Sequence, residues 1–189
     1  MTEGKALIFS APSGSGKTTI VKYLLSKNSQ LAFSISACTR PQRGETEVHG
    51  RDYYFLSSED FKNKINNNEF IEWEEVYQGS YYGTLKSEVE RIWSMGQTVV
   101  FDVDVKGGVR LKEYFGSHAL AVFIRPPGID VLKERLIGRG TESEESLAKR
   151  VEKAEYELGF EDKFDLTIVN DVLQDSSTEA IKIVDEFLN

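Results

Sequence analysis

Residues 11–19 read APSGSGKTT, and this segment is the strongest indication of the fold class. It follows the apolar run 6–10, which predicts a buried strand, and it opens a helical pattern that continues to Lys27. A glycine-rich turn between a strand and a helix is typical of a phosphate-binding P-loop, because backbone N–H groups at the positive end of the helix close around phosphate oxygens. The residues expected to surround a nucleoside triphosphate here are Ala11, Pro12, Ser13, Gly14, Ser15, Gly16, Lys17, Thr18 and Thr19.

Two side chains of this stretch have chemical roles that a P-loop requires. Lys17 is expected to reach the β- and γ-phosphates, and the Thr18 hydroxyl is expected to ligate Mg²⁺. The usual pattern begins with glycine, so Ala11 predicts a turn that is entered with negative φ. Thr19 stands where a dinucleotide fingerprint has its third glycine, which argues against that kind of site. A turn that merely links strand to helix is the other alternative.

Outward from this loop, short apolar runs alternate with helical patterns, which predicts parallel βαβ units. The expected fold class is therefore α/β, a P-loop three-layer sandwich with a parallel sheet core. Strands are expected at 6–10, 33–37, 98–103, 119–124 and 166–169, and helices at 18–27, around 89–93, after a capping box at Thr141 and Glu144, and after another at Ser176 and Glu179.

The strand predicted at 98–103 ends in an acidic residue, Asp102. A carboxylate at the carboxyl end of a buried parallel strand lies where open α/β sheets bind ligands. Asp102 is therefore expected to hold Mg²⁺ through water, beside Thr18. A structural aspartate at a turn is the alternative interpretation.

Composition and charge limit the classes of function. The 189 residues suit one domain, and 23 basic against 31 acidic residues give a net charge of −8, which argues against a protein that coats a nucleic-acid polymer. The single cysteine, Cys38, cannot form an internal disulfide, so a reducing, cytoplasmic location is expected. The apolar runs fit neither a signal peptide nor a membrane span, so no membrane association is expected.

Basic and aromatic side chains between residues 34 and 84 indicate a second phosphate site. Arg40 and Arg43 lie three residues apart, and guanidinium groups together with the phenol hydroxyls of Tyr53 and Tyr82 suit a phosphate monoester. Glu72, between large apolar residues, has a carboxylate that could accept two parallel N–H bonds, as guanine N1 and N2 offer and adenine does not. A solvated loop is the alternative for the arginines.

At this point the chain resembles the guanylate kinases over essentially its whole length. The matching segments are 34–45 (SISACTRPQRGE), 52–53 (DY), 69–73 (EFIEW), 81–84 (YYGT), 102–104 (DVD), 139–142 (RGTE) and 168–171 (IVND). The resemblance implies a P-loop core at 1–32, 85–125 and 159–189, a small mixed α+β GMP-binding insertion at 33–84, and a helical lid at 126–158.

The resemblance also implies roles for individual residues. Ser36 and Thr84 hydroxyls would meet guanine O6, Glu72 and Asp104 would accept from N1 and N2, and Arg40, Arg43, Tyr53 and Tyr82 would hold the GMP phosphate. On the donor side, Arg135, Arg139 and Arg150 would bind the ATP phosphates and the transferring group, and Asn170 would lie near the adenine. Lys17, Arg40, Arg135, Arg139 and Arg150 would together be the catalytic set.

Four positions besides Ala11 depart from the family pattern. The arginine loop is one residue short between Arg43 and Gly44, threonine replaces the commoner serine at Thr84, and Cys38 takes a usual threonine position. Lys106 stands where glutamine is usual, and it is expected either to pair with Asp102 or Asp104 or to be solvated.

The reaction that this resemblance implies is ATP + GMP = ADP + GDP, with Mg²⁺ as cofactor and ATP and GMP as the small-molecule partners. Use of dGMP and a homo-oligomer stay open. Three rivals are weighed against it: a kinase for another phosphate monoester, a phosphopeptide-binding module of the guanylate-kinase-like type, and a GTPase. Glu72, Asp104 and Ser36 speak against the first, Lys17 and Asp102 against the second, and the absence of an Asn-Lys-x-Asp segment against the third.

Overall fold

The computed structural model of the chain describes residues 4–137 and 144–189. A central sheet of five parallel strands has the order β2-β7-β1-β8-β9. Its strands are β1 (Ala6–Ser10), β2 (Leu31–Phe33), β7 (Thr98–Val103), β8 (Ala119–Arg125) and β9 (Leu166–Val169). The sheet confirms the expected α/β class with a parallel core.

Seven helices surround the sheets in the described part of the chain. They are α1 (Lys17–Lys27), α2 (Ser58–Asn66), α3 (Lys86–Ser94), α4 (Val105–Phe115), α5 (Ile129–Ile137), α6 (Glu144–Leu158) and α7 (Leu173–Leu188). None of the helices within 4–137 and 144–189 is long and apolar enough to cross a membrane.

The central sheet is covered on both faces, because successive side chains of a strand point to opposite sides. Leu7 and Phe9 pack with α1 and α7 on one face, while Ala6 and Ile8 pack with α3 and α4 on the other. All four side chains are fully buried. Burial on both faces explains why these strands are continuous apolar runs, and it gives the three layers that the sequence predicts.

A second sheet of four strands is built from the middle of the chain, in the order β4-β3-β6-β5. Its strands are β3 (Ala37–Cys38), β4 (Tyr54–Phe55), β5 (Phe70–Tyr77) and β6 (Ser80–Leu85). Helix α2 packs on it through Phe61, which is fully buried and stacks on Phe70 with ring centroids 4.4 Å apart. This sheet therefore has a small apolar core of its own.

The prediction of a strand at 33–37 is wrong, because the chain passes there from the central sheet to the second sheet. β2 ends at Phe33, and the next segment pairs within the second sheet from Ala37 onward. Between them the Ser34 N–H still donates to Val100 O at 2.9 Å, and the Ile35 N–H donates to the Glu88 carboxylate at 3.0 Å. A side chain from a distant helix thus replaces the strand partner that local sequence cannot reveal.

The start expected for the last helix is also wrong. Helix α7 begins at Leu173, three residues before Ser176, and the Ser176 hydroxyl donates to the carbonyls of Val169 and Val172, both at 3.1 Å. Serine inside a helix can return its hydroxyl to the preceding turn in this way. Of the other expected capping box, Thr141 lies outside the described residues.

Candidate functional site

The P-loop lies between β1 and α1, as the sequence predicts. Gly14 and Gly16 have φ of 93° and 87°, which favours glycine at both positions. Ala11 is buried and, among the described residues, only Asn68 is a non-glycine residue with positive φ, so the expectation of negative φ at Ala11 is confirmed. The turn therefore needs glycine at its two later positions and not at its first.

Asp102, at the end of β7, contacts both chemically active side chains of the P-loop. The Lys17 ammonium is in contact with Asp102 Oδ1 and donates to Val103 O at 2.8 Å, and the Thr18 hydroxyl donates to Asp102 Oδ2 at 2.7 Å. Strand β7 is the neighbour of β1 in the sheet, so its carboxyl end brings this carboxylate beside the loop. Lysine, hydroxyl and carboxylate thus form one cluster at the mouth of the loop.

A cavity of about 310 Å³ opens over this cluster. Residues 11–19 line one side of it, Asp102, Val103 and Asp104 line another, and Lys153 and Glu157 close it from helix α6. This space is the candidate donor site.

Helix α6 contacts the P-loop at Ser13 from two directions. The Arg150 guanidinium donates to the Ser13 hydroxyl at 3.0 Å, and the Ser13 N–H donates to Glu157 Oε2 at 3.3 Å. Glu157 is only 5% exposed, and burial raises the pKa of its carboxyl, although Lys153 and the Ser13 N–H act in the opposite direction. Of the expected lid arginines, Arg150 thus lies at the loop, while Arg139 lies outside the described residues.

Arg135 and Asn170 lie behind the P-loop, and neither lines the donor cavity. The buried Asn170 amide donates to Ser15 O at 2.7 Å, and a Cβ on Gly16 would come within 2.3 Å of this amide. Arg135 donates to the carbonyls of Asn170 and Asp171, at 3.0 and 3.3 Å. In this arrangement Asn170 supports the backbone of the loop, and Gly16 leaves room for it.

A second cavity of about 300 Å³ adjoins the first. Five of the residues predicted for the acceptor line it: Ser36, Tyr53, Glu72, Tyr82 and Asp104. The two cavities share a wall made of Asp102, Val103, Asp104 and Lys153. Residues separated by more than a hundred positions are therefore brought to one junction.

The two carboxylates predicted to bind a base stand together in this cavity. A Cβ built on Gly107 would lie 3.3 Å from Asp104 Oδ1 and 3.5 Å from Glu72 Oε2. The Thr84 hydroxyl donates to Glu72 Oε1 at 2.7 Å, and the Gly107 N–H donates to Asp104 Oδ1 at 2.7 Å. Burial raises the pKa of the Glu72 carboxyl, and the charge of Asp104 raises it further. Each carboxylate keeps one oxygen outside these hydrogen bonds.

The two arginines of the expected phosphate site do not line either cavity. Arg40 donates from both terminal nitrogens to the carboxylate of Glu47, at 2.7 Å each, and its guanidinium lies 4.7 Å from the centroid of the Tyr53 ring. The exposed Arg43 contributes its backbone N–H to Glu47, at 2.8 Å. Hydrogen bonds from Arg40 are the main cause that lowers the pKa of Glu47 to about 2.

Four acidic or basic residues of this region were missed by the sequence analysis: Glu47, Glu74, Lys153 and Glu157. Lys106 pairs with neither expected aspartate; its ammonium lies 3.6 Å from Glu74 Oε1, because β5 passes alongside α4. Lys153 and Glu157 follow Arg150 at spacings of three and four, which puts all three on one helix face. That spacing is the signal that could have found them.

The family model described as guanylate kinase matches residues 3–188. The chain is 56% identical over 186 residues to the guanylate kinase of Bacteroides fragilis, covering 98% of this chain and 91% of that protein. It is 42% identical to the guanylate kinase of Salinibacter ruber over 189 residues, all of both chains.

A solved structure agrees with the sequence relatives. The crystal structure of guanylate kinase from Anaplasma phagocytophilum matches with a TM-score of 0.75 and 27% sequence identity, over 97% of this chain and 85% of that one. The similarity therefore extends over the central sheet, the second sheet and the helices.

Proposed function

Because this chain belongs to the guanylate kinase family, we infer that the cavity over the P-loop holds ATP and that the adjoining cavity holds GMP. The enzyme transfers the γ-phosphoryl group of ATP to GMP and releases ADP and GDP. The observation that carries the assignment of the two sites is their common wall, because phosphoryl transfer in line requires the two phosphates to meet.

On the donor side, the backbone N–H groups of residues 11–19 would bind the phosphates of ATP. Lys17 would leave Asp102 for the β- and γ-phosphates, while Arg135, Arg139 and Arg150 would add positive charge. In their present positions Arg150 touches the loop at Ser13 and Arg135 holds the segment behind it.

The residues beside Lys17 fit Mg²⁺. Thr18 Oγ1 and Asp102 Oδ2 are oxygen donors 2.7 Å apart, and Mg²⁺ commonly takes only one or two protein ligands together with phosphates and water. When bound, Mg²⁺ would neutralise charge on the β- and γ-phosphates.

On the acceptor side, Glu72 and Asp104 would accept hydrogen bonds from guanine N1 and N2, and Ser36 would donate to O6. The Thr84 hydroxyl donates to Glu72 Oε1, so it would have to exchange this carboxylate for O6 to contact the base as the resemblance implies. Tyr53 and Tyr82 line the same cavity and would donate to the GMP phosphate. Arg40 and Arg43 would complete the phosphate site by giving up their hydrogen bonds to the Glu47 carboxylate and forming hydrogen bonds to the GMP phosphate. Use of dGMP as an acceptor stays open.

The chemistry requires no covalent enzyme intermediate. An oxygen of the GMP phosphate forms a bond to the γ-phosphorus while the bond to the β–γ bridging oxygen breaks, and ADP keeps the electron pair. No proton has to move, since the attacking oxygen is already anionic. The protein therefore acts by positioning two anions and by stabilising the charge where they meet.

The division of the chain into a core, an insertion at 33–84 and a lid at 126–158 is part of this proposal. A separate sheet and a separate apolar cluster between residues 37 and 85 support an insertion that moves as a unit. A cytoplasmic location and a homo-oligomer stay predictions.

The experiment is an assay of ADP release, coupled to a second enzyme, across the nucleoside monophosphates. GMP should be the best acceptor, and Lys17→Ala should lower its turnover by about 10²-fold or more while the protein stays folded, since one charge partner of the transition state is lost. Preference for another monophosphate would favour the rival kinase. Phosphopeptide binding without ADP release would favour a binding module, and near-normal turnover of folded Lys17→Ala would remove the P-loop from the mechanism.

A further inference from the structure

One face of helix α6 points at the substrate cavities. Arg150, Lys153 and Glu157 follow one another at helical spacing, and the first and last of them contact Ser13 of the P-loop. The family resemblance accounts for Arg150 and leaves Lys153 and Glu157 without a role.

Lys153 lies at the junction of the two cavities. It lines the donor cavity and the acceptor cavity, and among the described residues it is the only basic side chain that lines both. The rest of the shared wall is formed by Asp102, Val103 and Asp104. Lys17 already contacts Asp102, whereas Asp104 adds negative charge where two anionic substrates would meet. An ammonium group here offsets that charge where the phosphates converge.

Glu157 holds Lys153 in this position. Its Oε1 lies 3.6 Å from the Lys153 ammonium, and its Oε2 accepts the Ser13 N–H at 3.3 Å. The Glu157 side chain is buried, whereas the Lys153 side chain is 61% exposed. One carboxylate therefore connects the P-loop to a lysine that is otherwise directed into the open space between the cavities.

We propose that Lys153 binds the transferring phosphoryl group together with the acceptor phosphate, and that Glu157 is the positioning residue that fixes its ammonium. This inference rests on the proposed function. As the GMP oxygen bonds to the γ-phosphorus and ADP leaves with the bridging oxygen, negative charge builds up at the junction of the cavities. The Lys153 ammonium stabilises that charge and gives up no proton.

The test compares Lys153→Met with Lys182→Met. Lys182 forms the same kind of i,i+4 pair, with Glu186 at 3.9 Å, on helix α7 and away from both cavities. Lys153→Met should lower kcat by about 10- to 100-fold. This decrease is smaller than the decrease in kcat expected when a buried hydrogen-bond donor is removed, because the Lys153 side chain is exposed. The Kd of GMP alone and of an ATP analogue alone should stay within about 3-fold, because each substrate alone keeps its other contacts.

Two further variants separate this role from a structural one. Lys153→Arg should restore most of the lost kcat, since it keeps the charge. Glu157→Gln alone should lower kcat. Added to Lys153→Met, it should lower kcat little further, because Glu157 acts only through the ammonium group that Lys153→Met has already removed.

The outcomes are distinguishable. If Lys153→Met retains the kcat of Lys182→Met, or changes only KM, the inference is overturned. If the losses from Glu157→Gln and Lys153→Met multiply in the double variant, the positioning role of Glu157 is overturned. If the unchanged protein and Lys182→Met both fail to make GDP from GMP, the proposed function has failed instead.

Discussion

Two effects act in opposite directions on the charge of the Glu72 carboxylate. Its charge would strengthen hydrogen bonds from guanine, but burial raises its pKa and so disfavours that charge in the folded protein. The Thr84 hydroxyl at 2.7 Å offsets part of the cost and leaves the second oxygen for the base. A buried carboxylate beside a second carboxylate in a cavity is typical of a ligand-binding site.

We expect Glu72→Gln to weaken GMP binding far more than ATP binding. Thr84 occupies one Glu72 oxygen, so glutamine would turn either a neutral acceptor or an NH₂ donor toward the guanine N–H, and the loss of a charge-assisted hydrogen bond corresponds to about 10- to 150-fold in apparent GMP affinity. The measurement is the dependence of turnover on GMP and on ATP, with the exposed Glu90→Gln as control. Equal effects on both substrates, or none on GMP, would mean that Glu72 does not bind guanine.

Thermal unfolding of the same variant gives a second readout. A carboxyl group whose pKa is raised by folding destabilises the protein above that pKa and contributes nothing below the unfolded value of 4.5, where both states are protonated. Glu72→Gln should therefore have a higher Tm than the unchanged protein near neutral pH, and the gain should vanish in acid. A lower Tm near neutral pH would indicate a disturbed fold and not a lost contact.

Between elements, Glu88 of helix α3 connects three separate segments. Its side chain is fully buried and accepts the Ile35 N–H at 3.0 Å, the Tyr54 hydroxyl at 2.8 Å and two Arg91 donors, each at 2.8 Å. It therefore joins α3 to the crossing between the sheets and to β4. Burial alone would raise the pKa of Glu88, but these donors outweigh burial and lower it.

We expect Glu88→Gln to reduce the free energy of unfolding by about 1.5 to 3 kcal/mol near neutral pH, the range for hydrogen bonds to a charged group. Because folding lowers this pKa, the contribution is present above 4.5 and is lost as pH falls through the folded value. Urea unfolding at several pH values, with the exposed Glu186→Gln as control, measures it. A difference that stayed constant down to acid pH would contradict the assignment.

At the scale of the whole molecule, the two arginines expected at the acceptor phosphate do not line the substrate cavities. Arg40 and Arg43 both donate to Glu47, whereas Lys17 and Arg150 lie at the P-loop. The Glu47 carboxylate thus takes the hydrogen bonds that a phosphate monoester would take. Phosphoryl transfer requires these two groups of cations to approach one another.

We expect the insertion and the lid to close on the core when GMP and a non-hydrolysable ATP analogue bind together. Solution scattering, or distances between paired labels on α2 and α7, should show compaction with both ligands and a smaller change with either alone. Glu72→Gln under the same ligand concentrations serves as control, since it should bind less GMP. An unchanged shape at saturation would contradict the assignment of insertion and lid.

The sequence by itself determined the elements whose signals are local. The P-loop, its strand and its helix are contiguous, so Gly14, Gly16, Lys17 and Thr18 could be assigned without knowing the rest of the fold. Four of the five strands of the central sheet, namely β1, β7, β8 and β9, are predicted from apolar runs for the same reason, whereas β2 is not. Asp102 follows from its place at a strand end, where parallel sheets present ligand-binding residues.

Helix α4 was missed because its local signals conflict with its environment. Gly107 and Gly108 are poor helix formers, yet the helix needs them: a Cβ on Gly108 would come within 2.2 Å of Ser10 Oγ. Close packing against the end of β1 thus outweighs helix propensity. Such a contact joins residues nearly a hundred positions apart, and no local pattern encodes it.

Only the tertiary structure decided which charged groups meet. Three sets of contacts depend on how separate segments pack against one another. They are the Arg40–Glu47 pair, the Lys106–Glu74 pair, and the contacts of Glu157 with Ser13 and Lys153. A charged side chain has many possible partners of opposite charge in the sequence. Which of them it contacts depends on the distances between side chains in the folded protein and on how far each is buried. The residue types of the site could therefore be predicted from the sequence, whereas their pairing and the single wall between the two cavities could not.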